Sequence, residues 1–222
     1  MNKRFYLIPT IVALFCVITA VVARNSYTNI GNGVYQYRIN GGGDCSTVLQ
    51  HEKIHSAEDL IDRSELIVRA KFDSQRLIRD NGFYTTVHIS RVLKGDKGLE
   101  NKDIIVTEAV VIFTNTKFIN EALTPLWIPL QQNNEYLLLL KKISFDPHRV
   151  LNDFQKMQYY PVTQSAFGCY RLSGKNQTET MNNKESYTVN SLKGFEIFAY
   201  DRKTLDAYHQ YKAQILSRFS IR

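Results

Sequence analysis

The sequence predicts a mainly β fold of the α+β class, an antiparallel β-barrel with a short helix before its first strand and an amphipathic helix at the C-terminus. Strand-like runs rich in Val, Ile, Leu, Tyr and Thr recur between Gly, Asp and Asn residues that favour turns. Tyr (13 residues) and Phe (12) are frequent, which favours strands whose half-buried faces pack flat rings. The last stretch repeats apolar residues every three or four positions, as an amphipathic helix does.

The barrel is predicted over residues 56–172, after a short helix that its own sequence caps. Ser56 is a typical N-cap residue, and Asp59 follows three positions later, before the helical segment Ala57–Arg63 ends. The predicted strands are the β-rich runs Glu65–Phe72, Phe83–Lys94, Ile104–Val111, Glu135–Lys142 and Phe167–Leu172. The last of these is the candidate fifth strand, and it places Cys169 in the sheet.

The second predicted strand alternates as a half-buried strand does. The residues expected on its buried face are Thr85, Val87, Ile89 and Arg91. His88 falls on the opposite face, so we interpret it as a solvated strand residue rather than a metal ligand.

Residues 1–23 are predicted to be a signal peptide or a transmembrane anchor. Lys3 and Arg4 precede Phe5–Ala23, a run of 19 residues without a charge. As a helix rising about 1.5 Å per residue, this run spans about 28 Å, close to the ~30 Å core of a bilayer. The basic residues before it favour a cytoplasmic N-terminus and an exported remainder. Both an uncleaved anchor and cleavage after Ala23 stay open.

Beyond this leader the chain has two cysteines, Cys45 and Cys169. In an oxidising compartment an even pair indicates either a disulfide that closes a long loop or two separate thiols. Cys45 lies in residues 24–55, which contain many Asn and Gly residues and are predicted to be a linker and N-terminal extension.

One string matches a catalytic motif. His51-Glu52-Lys53-Ile54-His55 fits H-E-x-x-H, in which two imidazoles one helical turn apart bind Zn²⁺ and the glutamate polarises a water. This match leaves open a zinc site with His51 and His55 as ligands and Glu52 as catalytic base. We favour a surface segment without metal or catalytic residues, because Lys53 puts a charge between the ligands and Ser56 starts a helix only after His55.

The basic excess of the chain is scattered. The formal net charge is +7, and removing Lys3 and Arg4 with residues 1–23 leaves 26 basic and 21 acidic residues, or +5. Such an excess is typical of a solvated surface. No recognised nucleic-acid motif accompanies it, so nucleic acid is not an expected partner.

The C-terminal part is predicted to pack on the barrel. Residues 173–194 are predicted to be a polar loop, and residues 195–222 a terminal strand followed by a helix that Asp201 caps. The face of this helix toward the barrel is expected to contain Leu205, Tyr208, Lys212, Ile215 and Phe219.

The order of these segments resembles a known group of proteins. The segments that carry the resemblance are Ser56–Phe72 (SAEDLIDRSELIVRAKF), Thr85–Asp96 (TTVHISRVLKGD), Ile104–Glu108 (IIVTE) and Pro129–Lys141 (PLQQNNEYLLLLK). They resemble exported bacterial domains that are related in fold to tissue inhibitors of metalloproteinases. Over about Ser56–Leu172, the resemblance implies an OB-fold barrel of the TIMP/netrin-like type.

The sequence therefore predicts an extracytoplasmic binding or accessory protein, either membrane-anchored or secreted, without enzymatic activity. Its expected partners are the membrane, through Phe5–Ala23, and an extracytoplasmic protein or a cell-wall polymer. Two alternatives stay open. One is a small zinc metalloprotease that uses the His51–His55 string, and the other is a protease-inhibitor-like module, as the resemblance implies.

Overall fold

The computed structural model describes residues 11–21, 31–39, 54–73, 75–79, 81–113, 118–119, 127–173, 177–180, 187–199 and 201–221. Contacts divide the chain into two units, Met1–Asn32 and Gly33–Arg222. In the first unit, residues 11–21 form a helix, here called the apolar helix, and every one of its residues is exposed. Within the described ranges, no helix combines the length and the hydropathy that crossing a bilayer requires.

Short strands make up most of the regular structure. The α-helices of the second unit are α1 (Ala57–Arg63), α2 (Asp153–Lys156) and α3 (Arg202–Arg218). The described strands are β1 (Arg38–Ile39), β2 (Leu66–Phe72), β3 (Arg76–Arg79), β4 (Gly82–Lys94), β5 (Asp103–Thr107), β6 (Ile112–Phe113), β7 (Phe118–Ile119), β8 (Asn134–Lys142), β9 (Gln158–Pro161), β10 (Cys169–Arg171), β11 (Gln177–Thr180), β12 (Tyr187–Thr188) and β13 (Phe195–Ala199). Short 3₁₀ helices occupy Gly31–Gln36, Lys97–Leu99, Ala166–Gly168 and Asn190–Leu192.

Five strands close into a barrel, which confirms the predicted architecture at that level. β2 pairs with β4, β4 with β5, β5 with β9, β9 with β8, and β8 returns to β2. The β5–β9 pair is parallel and the other four are antiparallel. β3 and β10 extend the sheet outside this ring. The ring is compatible with an OB-fold-like barrel.

The strand that closes the barrel is not the predicted one. The predicted fifth strand, Phe167–Leu172, contains β10, which pairs with β8 outside the ring. The ring is closed by β9 instead. The Gln-Tyr-Tyr-Pro sequence of β9 lacks the alternation of polar and apolar residues that is typical of a half-buried strand. The chain reaches β9 through α2, which begins at a capping box between Asn152 and Gln155.

Helix α1 has the predicted bounds and cap. The Ser56 hydroxyl accepts a hydrogen bond from the backbone N–H of Asp59 (3.1 Å). In return, Oδ2 of Asp59 accepts from the backbone N–H groups of Ser56 (3.0 Å) and His55 (2.7 Å). The first bond satisfies a donor that the first turn of the helix leaves without a partner, and the other two fix the backbone of the N-cap and of the residue before it.

A β-bulge changes the predicted faces of β4. Thr85, Val87 and Ile89 are buried as predicted, but Arg91 is exposed and Val92 is buried. The register of β4 against β2 shifts twice in this region, once at Ser90. The extra residue puts Ser90 and Arg91 on the same side of the strand, so the prediction for Arg91 was wrong. A period-two pattern has no signal for such an insertion.

The segment predicted as a polar loop, residues 173–194, contains regular structure in its described parts. β11 pairs in parallel with β13, and β12 pairs with β1. A loop was predicted because the segment is polar. A short strand that pairs with a neighbouring strand can nevertheless form from a sequence with few apolar residues.

Helix α3 packs as its periodicity predicts. Asp201 caps it by accepting from the N–H of Thr204 (2.6 Å). The predicted face is buried at Leu205, Tyr208, Lys212 and Ile215, and half-buried at Phe219. The ring of Tyr208 lies 5.0 Å from that of Tyr170 in β10, so α3 covers the strand beside the barrel.

Candidate functional site

The structure describes part of the His51–His55 string that matches the H-E-x-x-H motif. His51 and Glu52 lie outside the described residues. His55 is exposed and its backbone is not helical, because the cap of α1 begins at the next residue. Among the described residues, no group of three or more His, Cys, Asp or Glu side chains is placed to hold a metal ion. The alternative of a zinc site with His51, His55 and Glu52 stays open, as does the favoured interpretation of a surface segment.

Cys169 lies in β10, and Cys45 lies outside the described residues. The thiol of Cys169 is free in the structure. Burial, and then the charge of Glu196, raise the pKa of this thiol well above its ordinary value. The thiol is therefore a weak nucleophile. Both interpretations of Cys45 and Cys169, a disulfide or two separate thiols, stay open.

A buried polar network joins β3 to the end of β5. The guanidinium of Arg76 pairs with the Glu108 carboxylate, and their side chains are 5% and 0% exposed. Glu108 also accepts from the indole N–H of Trp127 (2.8 Å), the N–H of Leu130 (2.8 Å) and the hydroxyl of Thr85. Burial lowers the pKa of Arg76, but the charge of Glu108 and the interactions with Tyr35 together outweigh burial, so the pKa is raised.

The rest of the Arg76 side chain is also enclosed. Its guanidinium carbon lies 4.9 Å from the ring centres of both Phe72 and Phe83. One terminal nitrogen donates to the hydroxyl of Tyr35 (3.0 Å) and the other to the carbonyl of Leu130. Because every strong donor and acceptor is used within the fold, this network holds segments together rather than binding a ligand.

A second buried ion pair fixes α3. The Lys212 ammonium lies 2.6 Å from Oε1 of Glu196 on β13, and these side chains are 11% and 1% exposed. Oε1 of Glu196 also accepts from the N–H of Arg171 (3.0 Å) and lies 2.8 Å from the Tyr208 hydroxyl. Lys212 further donates to the carbonyl of Arg171 (2.9 Å). The role of this pair is to attach the helix to β10 and β13.

The outer surface of β2 and β4 differs from these two buried networks, because its charged side chains face solvent. We call Arg69, Lys71, His88 and Arg91 the basic face. The β2–β4 register sets Arg69 opposite Arg91 and Lys71 opposite His88. Directly opposite residues point to the same side of a sheet, so all four lie on one surface. The intervening residues of β2, Val68, Ala70 and Phe72, are buried on the other side.

One carboxylate borders the basic face on each side. Glu135 on β8 pairs with Arg69 at 2.7 Å, and Ser90 Oγ lies 3.3 Å from its second oxygen. Asp103 on β5 lies 2.8 Å from Nδ1 of His88. No described carboxylate forms an ion pair with the exposed side chains of Lys71 or Arg91.

The basic face was not predicted from the sequence. Arg69 and Lys71 alternate with apolar residues and were readable as the outer side of β2. What brings Arg91 beside Arg69 is the bulge at Ser90, and a single strand's pattern does not reveal cross-strand register.

Similarity to known proteins assigns no role to these residues. No family model matches the chain, and no curated protein matches it by sequence. The chemistry of the residues is therefore the guide. Two basic side chains without acidic partners among the described residues, on an open sheet surface, can bind an anion, whereas the two buried networks are already satisfied.

Proposed function

We propose that the protein is a binding or accessory module attached to a membrane through residues 5–23, with its barrel on the extracytoplasmic side, and that it recognises a ligand without transforming it. The observation that carries the proposal is the apolar helix. Its seven large apolar side chains, Ile11, Val12, Leu14, Phe15, Val17, Ile18 and Val21, are each between 51% and 67% exposed.

A helix that is apolar on all sides is unfavourable in water. Burying a large aliphatic or aromatic side chain completely is worth about 1.5–3 kcal/mol, so seven exposed ones give a strong tendency to leave water. Residues 11–21 also lie inside the 19-residue uncharged run Phe5–Ala23. Helices that are hydrophobic all round belong in protein cores or membranes. Lys3 and Arg4 before the run favour export of the residues beyond Ala23.

The barrel suits a protein that presents a surface to a ligand. We propose that it is an OB-fold barrel, because its five strands form a ring that includes one parallel pair, β5–β9. Barrels of this class bind ligands through one outer sheet surface and the adjoining loops. We also propose that the function is non-enzymatic. The two buried ion-pair networks are fully hydrogen-bonded and hold the fold together, and the exposed charged residues of the basic face are strand side chains suited to binding.

Location is tested with the full chain carrying a C-terminal epitope tag. The expected result is fractionation with membranes and removal of the tag by protease added to intact cells. Leu14→Arg together with Ile18→Arg places two charges in the apolar helix, each of which costs about 2.5–3.5 kcal/mol at a helix centre in a bilayer. This variant is expected to lose membrane association.

The matched control is Leu77→Arg, which changes a side chain of β3 that is 44% exposed. It should fractionate as the unchanged chain does. A tag protected from protease until the cells are opened would overturn the proposed topology. Sequencing the N-terminus of the protein recovered from the membrane and the soluble fractions separates an anchor from a leader cleaved before Arg24.

Metal analysis tests the proposal that the protein is not a zinc enzyme. The full chain, purified without chelator, is expected to contain no stoichiometric zinc. Zinc that is bound one to one, and that disappears in the His51→Ala and His55→Ala variants, would overturn the non-enzymatic proposal in favour of a zinc hydrolase.

A further inference from the structure

We propose that the basic face binds an acidic segment of a partner protein in extended conformation, through the side chains of Arg69, Lys71, His88 and Arg91. This inference deepens the proposed function. It rests on that function only in one respect, which is that the partner is expected on the extracytoplasmic side of the membrane. The carrying observation is the β2–β4 register, which sets Arg69 opposite Arg91 and Lys71 opposite His88.

Cross-strand repulsion makes this face a site for an anion. Like charges directly opposite each other destabilise a sheet. Two of the four basic groups have a carboxylate partner, Arg69 with Glu135 and His88 with Asp103, whereas no described carboxylate forms an ion pair with Lys71 or Arg91. A bound carboxylate would sit beside the positive side chains of Arg69, Arg91 and Lys71 and relieve the repulsion between the two arginines, so binding gains more than at a single exposed lysine.

The width of the face favours a linear ligand over a flat one. Glu135 on β8 and Asp103 on β5 border the positive strip on its two sides. The strip is therefore two strands wide, and neighbouring strands lie about 4.8 Å apart. A planar anionic membrane surface would meet both carboxylates and be repelled by them, whereas one extended chain fits between them.

The spacing along the strand fits a polypeptide with alternating acids. Arg69 and Lys71 are two residues apart, a repeat of about 6.8 Å in a strand. Alternate side chains of an extended peptide have the same repeat, so successive carboxylates can meet successive basic groups. The structure already contains one such contact, since Glu135 is held by Arg69 at 2.7 Å and lies 3.3 Å from the Ser90 hydroxyl.

Binding is tested with the full chain in detergent and a fluorescent peptide in which Glu and Thr alternate. Fluorescence anisotropy at low salt is expected to show binding that weakens as salt is added. Lys71→Gln with Arg91→Gln should weaken it roughly tenfold, the size expected when two partly exposed ion pairs are lost. Both residues are exposed, and a thermal melt confirms that the double variant is folded.

The control is Lys193→Gln with Lys203→Gln, which removes the same charge from exposed positions elsewhere. Unchanged affinity in this control supports the basic face, and an equal loss in both double variants would overturn it as an effect of net charge. A peptide of the same composition with its Glu residues consecutive should bind more weakly. Equal binding would contradict the extended, alternating geometry.

Binding to anionic vesicles distinguishes a protein partner from a lipid surface. The proposal expects phosphatidylglycerol vesicles to bind the full chain through its apolar helix, and so equally well with and without the Lys71→Gln and Arg91→Gln changes. Vesicle binding that depends on those two residues, without peptide binding, would overturn the protein partner in favour of a lipid surface. The peptide assay needs no membrane, so its failure is distinguishable from failure of the proposed location.

Discussion

The guanidinium of Arg76 and the carboxylate of Glu108 form an ion pair in which Nη2 and Oε1 are 2.8 Å apart and both side chains are almost fully buried. The pair links β3, which lies outside the barrel ring, to the residue after β5. Trp127 and Leu130 donate to the same carboxylate, so the segment before β8 is attached at this point too. One buried anion thus organises three parts of the fold.

Glu108→Gln is expected to lower the free energy of unfolding by about 3–5 kcal/mol, because it leaves the buried charge of Arg76 without its partner. Urea unfolding followed by Trp127 fluorescence measures this. Asp206→Asn is the control, since it breaks an exposed ion pair with Arg202 on α3 and should cost less than about 0.5 kcal/mol. Similar losses in the two variants would contradict the role given to the buried pair.

Two tyrosines of the α3 interface are expected to respond in opposite ways to loss of the hydroxyl. Tyr208→Phe should cost about 2 kcal/mol, because the Tyr208 hydroxyl lies 2.8 Å from the buried, charged Glu196. Tyr170→Phe should be neutral or stabilising, because no described group forms a hydrogen bond with the buried Tyr170 hydroxyl. Thermal or urea unfolding of both variants provides the test, and equal destabilisation would contradict this assignment.

The cap of α1 is expected to make stability depend on pH. Hydrogen bonding from the backbone of His55 lowers the pKa of Asp59 in the folded chain. A carboxylate with a lowered folded-state pKa stabilises the fold above its unfolded pKa of about 3.9, and the contribution is lost as pH falls through the folded value.

The stability difference between the unchanged chain and Asp59→Asn should therefore be constant near neutral pH and shrink below about pH 4. The matched control is Asp62→Asn, which removes an exposed carboxylate of the same helix that is not part of the cap. Urea unfolding across this range measures both. A difference that persists at low pH would show that the charge of Asp59 is not what stabilises the cap.

Gly95 is expected to tolerate no side chain. Its φ of +101° is rare for other residues, and a Cβ would lie 2.6 Å from the carbonyl oxygen of Glu65. Gly95→Ala should cost at least about 1–3 kcal/mol. Gly33→Ala is the control, because the structure places no described atom within 4 Å of a Cβ there. Equal melting temperatures for the two variants would contradict the strain.

The sequence predicted the elements whose signals are local. The capping box of α1 and the buried face of α3 were readable from residue spacing, and so were β2, β4 and β8. Barrel closure by β9 was not, because its Gln-Tyr-Tyr-Pro run carries no periodic signal and depends on strands distant in the chain. The basic face was missed for the same reason, since it exists only through the register of β2 against a bulged β4.

The ring closes through its last strand, and that order has a consequence for biosynthesis. Until β9 is available, the four preceding strands form an open sheet in the order β8-β2-β4-β5. A chain interrupted between Lys142 and Gln158 would therefore expose the backbone edges of β5 and β8, which invites pairing with other chains. Nascent chains of this protein should therefore depend on a chaperone until Pro161 has been synthesised and is free to pair. Chains truncated before β9 should aggregate rather than fold as smaller domains.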